Sequence, residues 1–133
     1  MKFEVPFTIL LSIVGSFTSF MFGGWGSLLS ILTLIIILDF ITGIIASGIE
    51  GKLSSRLGFK GIAQKVIIFA LVSVAHAIDV AIGEQHMIRD ATIFFYLVNE
   101  TLSIIENAGR VGLPVPSFLV KAIELLKTKS NKK

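Results

Sequence analysis

The chain has no cysteine. Disulfides, thiolate nucleophiles and zinc–sulfur centres are therefore excluded. Charge is also scarce, at 16% of the 133 residues. A soluble domain carries about 25%, so this chain lacks the charge to cover a folded surface for water. No nucleophile–base arrangement, phosphate-binding loop or cluster with metal-ligand spacing is found, which argues against an enzyme and against a metal or cofactor. No internal repeat or low-complexity segment interrupts the chain.

What is present is hydrophobic residue, 53% of the total, with mean hydropathy +0.87. A membrane-crossing helix needs about 20 mostly apolar residues. Four stretches approach this, at about 5–22, 26–48, 66–83 and 88–109. The expected fold is an all-α integral membrane protein, one domain over 1–133, with four transmembrane helices. The first stretch is short and rich in Ser, Thr and Gly, and an interfacial helix is its alternative. No A-x-A-like cleavage site follows it, so it is expected to be retained. Residues 49–65 read as a loop, because Gly58 and Gly61 oppose a long helix there. Ser117 is a plausible N-cap for a short amphipathic helix, Phe118 to Leu126, followed by a basic, disordered tail.

The net charge of +3 is unevenly placed. With four spans, Lys2, Lys52, Arg56, Lys60, Lys65, Arg110 and the five tail lysines share one side. Arg89 stands alone on the other. Eleven against one makes the basic side cytoplasmic. The basic tail abuts apolar helices, which fits a membrane surface and not nucleic acid.

Ionisable residues within apolar helices are functional candidates, because each costs about 2.5–3.5 kcal/mol at the bilayer centre. They are Asp39, His76, Asp79, Glu100 and Glu106. Asp39 shares a helix face with Gly43 and with Ala46 or Ser47. It reads either as an interhelical hydrogen bond or as a pore-lining charge. His76 and Asp79 stand at i, i+3 and can pair. Glu100, Ser103 and Asn107 form a polar stripe, with Glu106 beside it and within i+4 reach of Arg110. Ser12, Gly15, Ser16 and Ser19 have the small-residue spacing of helix packing, and self-association is the plain inference.

Several pieces in order carry a resemblance. They are Leu38-Asp39-Phe40-Ile41-Thr42-Gly43, Gly51-Lys52-Leu53-Ser54-Ser55, and Gly58-Phe59-Lys60-Gly61 with Lys65. Then come Ala77-Ile78-Asp79, the run Asn99 to Asn107, and Gly112-Leu113-Pro114-Val115-Pro116. Over about residues 25–126 the chain resembles the toxin-secretion/phage-lysis holin family, small holins of phages and prophages mainly of Gram-positive bacteria. The resemblance implies a non-enzymatic protein that oligomerises in the host cytoplasmic membrane. At a set time it would form lesions that release an endolysin, without needing to touch it, or export a toxin. It points to Asp39, Gly43, Ser55, Gly58, Gly61, Lys65, Asp79, Glu100, Ser103, Glu106 and Asn107. Two other readings stay open: a small oligomeric ion or proton channel or transporter, and a non-conducting antiholin or scaffold.

Overall fold

The computed structural model describes residues 4–131. Five helices account for nearly all of them: α1 (Glu4–Phe22), α2 (Ser27–Ile49), α3 (Ser55–Ile82), α4 (Met87–Val111) and α5 (Ser117–Asn131). The first three are long and apolar enough to cross a membrane. At 1.5 Å per residue, the 23 residues of α2 reach about 35 Å, enough for a hydrocarbon core of about 30 Å. The large apolar side chains of α1, α2 and α3 are mostly exposed on the outside of the bundle. That surface suits lipid and not water.

Helix α4 is the hub, packed against α2, α3 and α5. It runs parallel to α2, while α3 runs opposite to both. The inner face changes character along the axis. Toward the α1–α2 turn it is apolar, built from Phe22, Leu29, Leu32, Ile36, Ile68, Val72, Ile93 and Leu97. Further along the same faces come Asp39 on α2 and Glu100 and Asn107 on α4, all buried. One helical stripe therefore passes from hydrocarbon packing to hydrogen bonding without changing side.

Three expectations need correction. The segment 49–65 is not a loop, because α3 starts at Ser55. Ser54 caps it, its Oγ accepting from the Leu57 N–H at 3.2 Å. Gly58 and Gly61 each weaken a helix by about 1 kcal/mol, yet the helix forms through both, and Gly61 serves packing. A Cβ on Gly61 would meet the Phe40 ring at 3.4 Å. The C-terminal helix does not stop at Leu126 but continues to Asn131. It also folds back along α4, burying Ile123 and placing Lys129 Nζ 4.8 Å from the centre of the Phe94 ring. The helix thus sets Ile123 on protein while Phe118, Leu119, Val120 and Leu125 stay exposed, and its described lysines belong to a helix and not to a disordered tail. Lys2, Lys132 and Lys133 lie outside the described residues.

Helix α1 touches the bundle mainly through its last turn. Phe22 stacks edge-on with Phe69 and Trp25, and the Ser73 hydroxyl donates to the Met21 carbonyl at 3.1 Å. Ser12, Gly15, Ser16 and Ser19 are all exposed, so no helix of the same copy covers them.

Candidate functional site

The polar half of the bundle is organised by Lys65. The same early start of α3 that removes the loop carries this residue into the helix interior. Its Nζ lies 2.5 Å from Asp39 Oδ2 and donates to Glu100 Oε2 at 3.0 Å. Glu100 Oε1 also sits 2.7 Å from the ammonium, as an ion-pair contact without an aligned hydrogen bond. Asp39 and Glu100 are only 5% and 6% exposed. All three groups lie near the midpoints of their helices, so the triad ties α2, α3 and α4 together at mid-depth.

The network continues toward the α2 C-terminus. Asn107 Nδ2 donates to Asp39 Oδ1 at 3.1 Å and to Thr42 Oγ1 at 2.9 Å. Arg110 donates to Asn107 Oδ1 at 3.1 Å, to Ser47 Oγ at 3.2 Å and to Glu50 Oε1 at 2.7 Å. Arg110 holds the exposed Glu50 carboxyl below the usual carboxylate range, chiefly through that hydrogen bond. Gly43 faces Asn107, with space for a Cβ 3.5 Å from its Nδ2, and Ala46 is fully buried. The small-residue face of α2 is therefore its seam with α4.

Two carboxyl groups meet one ammonium, so acids outnumber bases in the seam. Breaking such a group by removing one partner is strongly destabilising, whereas replacing the whole group is often neutral. The arrangement is suited to a latch: the helices separate only by exposing charge, which is tolerable around water and not in hydrocarbon.

A second polar group stands at the opposite end, and here the expected His76–Asp79 pair is absent. Asp79 is fully buried and caps α4 from outside that helix. Its Oδ1 accepts the Ile88 N–H at 2.8 Å and its Oδ2 the Arg89 N–H at 2.9 Å. His86, at the N-cap position, makes no capping bond of its own. Both oxygens are thus spent on orphan amides of a helix start. His76 instead packs with His86 over Gly23, where φ is +76° and a Cβ would come within 2.6 Å of the His76 ring. Arg89 is buried and donates to the Phe22 carbonyl at 2.9 Å while pairing with Asp90. Asp79→Ala is expected to destabilise the protein by about 2 kcal/mol, at the upper end for a lost cap, since two buried amides lose their acceptor. Thermal unfolding in detergent checks this, and an unchanged midpoint would contradict the capping role.

The sequence candidates divide into groups. Asp39, Lys65, Glu100, Ser103 and Asn107 come together, with Ser103, Gly58 and Gly61 lining the crevice beside the triad. Glu106 is exposed and does not pair with Arg110, which turns to α2. Ser55 and Lys60 are exposed on the first turns of α3. Sequence reasoning missed Lys65 as a buried partner, Ser54 as the cap that puts it there, and Arg89 as a clasp on the α1–α2 turn. The signal for Lys65 was available: a Ser N-cap followed by an unbroken apolar run from Val66. Among the described residues, no cluster of three or more His, Asp or Glu side chains is arranged to hold a metal.

These features define a multi-pass helical membrane protein with a charged cluster locked inside its bundle. The chain belongs to the bacteriophage holin family, which it matches over residues 16–128. It is 31% identical over 105 residues to a probable holin of Bacillus phage phi105, covering 79% of this chain and 78% of that protein. Proteins from bacteria show higher identity. An uncharacterised protein of Halalkalibacterium halodurans is 44% identical over 126 residues, covering 91% of this chain and 93% of its own length. One from Listeria monocytogenes is 46% identical over 116 residues, covering 87% and 83%. No solved structure matches the chain.

Proposed function

We propose that this protein is a holin that assembles into homo-oligomers in the bacterial cytoplasmic membrane and opens lesions there. The lesions pass an endolysin, or in some settings a toxin, and the role is not enzymatic. The mid-depth triad of Asp39, Lys65 and Glu100 carries this reading. In a single packed copy both acids contact the one ammonium. Around water, the same groups and the stripe of Ser103 and Asn107 become a polar lining, with Glu106 beside them. Helix α4 serves as a fourth span, because it runs parallel to α2 and satisfies its polar residues against it. The excess of Lys and Arg at the end holding the α2–α3 connection supports a cytoplasmic location for that end and for both termini. The exposed small-residue face of α1 offers a surface for self-association.

Induced expression in bacteria, with and without an endolysin, tests the proposal. The expected result is an abrupt loss of membrane potential and viability, with endolysin escaping only when the protein is present. Normal growth at high membrane levels would sink it and favour a non-conducting antiholin. The triad also supports a second reading, a small ion or proton conductor. Vesicles holding purified protein separate the two: passage of a folded enzyme marks the holin, and ion-selective flux without it marks the conductor.

A further inference from the structure

Helices α2 and α3 both pack on α4 but touch each other sparingly. A crevice opens between them, and it has two parts. One is a cavity of about 350 Å³ at the end of the α2–α3 connection, with Lys52, Arg110 and Ser47 in its wall. The other, about 220 Å³, is lined by Ile37, Ile41, Ile62 and Val66. Phe40 and Lys65 belong to both walls, so the two parts adjoin. Gly43, Gly58 and Gly61 leave the room for the polar part.

The charges at the mouth are unequally committed. Asp39 spends its oxygens on Lys65 and Asn107, about 12 Å deeper along α2 than Ser47. Arg110 is paired with Glu50. Lys52 makes no ion pair among the described residues. One cation without an ion pair thus stands at a polar pocket that shares the Phe40 and Lys65 walls with a narrow apolar slot facing lipid. We propose that this crevice binds one anionic phospholipid, its phosphate at Lys52 and one acyl chain between Ile37, Ile41, Ile62 and Val66. The inference uses only the membrane location of the chain, so it stands or falls separately from lesion formation. A lipid held there wedges α2 from α3 beside the triad, coupling membrane composition to the packing of the bundle.

Native mass spectrometry of the full chain in detergent tests this, after incubation with equal amounts of phosphatidylglycerol and phosphatidylcholine of matched acyl chains. The expected result is retention of phosphatidylglycerol at about five times the level of phosphatidylcholine. That ratio corresponds to about 1 kcal/mol for one cation near an anionic headgroup. Lys52→Ala should remove this preference. Lys60→Ala deletes an exposed cation from the same end but outside the crevice, and should leave it intact. Ile62→Trp fills the apolar slot and should abolish retention of both lipids, with helicity by circular dichroism unchanged. Excess inorganic phosphate should not displace the lipid, because the acyl chain is part of the fit. Equal retention of the two lipids, equal losses in Lys52→Ala and Lys60→Ala, or displacement by free phosphate would each overturn the proposal. So would loss of self-association in Ile62→Trp without any lipid retained by the parent chain, which would assign the crevice to a second copy.

Discussion

Lys65→Ala is expected to destabilise the packed bundle by about 3 kcal/mol or more, the effect of stripping one partner from a buried ion pair. The substitution leaves Asp39 and Glu100 nearly dry, side by side, with no cation between them. Whole-protein stability is about 5–15 kcal/mol for ordinary domains, so the loss is a large fraction of what is available. Unfolding in detergent should show it as a lowered midpoint, and membranes should hold less protein. The informative control is the triple variant Lys65→Met, Asp39→Asn, Glu100→Gln. It removes all three charges while keeping shape, and should recover most of the lost stability. Lys65→Met alone keeps the packing of the long stem and loses only the cation, so its shortfall against the triple variant separates an unbalanced charge from a lost packing contact. If Lys65→Ala unfolds like the parent chain, the triad does not hold the helices together.

That experiment turns on the residue whose placement the sequence hid. The four apolar stretches were legible because hydrophobic content and length define them, and α1, α2 and α4 begin and end within about two residues of the expectation, the scatter expected of helix ends. The start of α3 was not, because two glycines in its first turns resemble a loop when only local propensity is weighed. The decisive contributions are not local. Ser54 supplies a cap, Gly61 gives the Phe40 ring its space, and Lys65 is held by acids 26 and 35 residues away. The stripe of Glu100, Ser103 and Asn107 was readable from helical spacing. Its partner on α2 was readable only as a second candidate, since spacing within one helix says nothing about which helix lies opposite. The same limit explains the failed pairs. His76 reaches toward Asp79 on paper, but two unbonded amides at the start of α4 make a stronger claim on that carboxylate. Arg110 finds Glu50 across the seam in preference to Glu106 on its own helix. For α5, amphipathicity showed that an apolar surface was needed, and could not distinguish a bilayer from the flank of α4.

With both acids ionised the triad carries one excess negative charge, and this yields the second large prediction. On the proposed function, Glu100→Gln should delay lysis and Asp39→Asn should advance it. Either change leaves one acid facing one base, but the two sites are not equivalent. Glu100 shares a single ammonium, and a glutamine there still accepts from Lys65 while removing the unbalanced charge. The packed state is then favoured and triggering comes later. Asp39 has the shorter contact to Lys65 and also accepts from Asn107. An asparagine keeps the shape and weakens both bonds, a loss of about 1–3 kcal/mol for charge-assisted hydrogen bonds. The seam is loosened and triggering comes earlier. Lysis onset after induction, compared at equal membrane levels, reads the two directions. Membrane potential adds a second readout. A net charge at mid-depth crosses half the field on reaching either face, which is worth about 1 kcal/mol per 100 mV. The parent chain should therefore trigger when an uncoupler collapses the potential, and Glu100→Gln should respond less. Shifts of both variants in the same direction, or an unchanged response to the uncoupler, would show that the unpaired charge does not set the trigger.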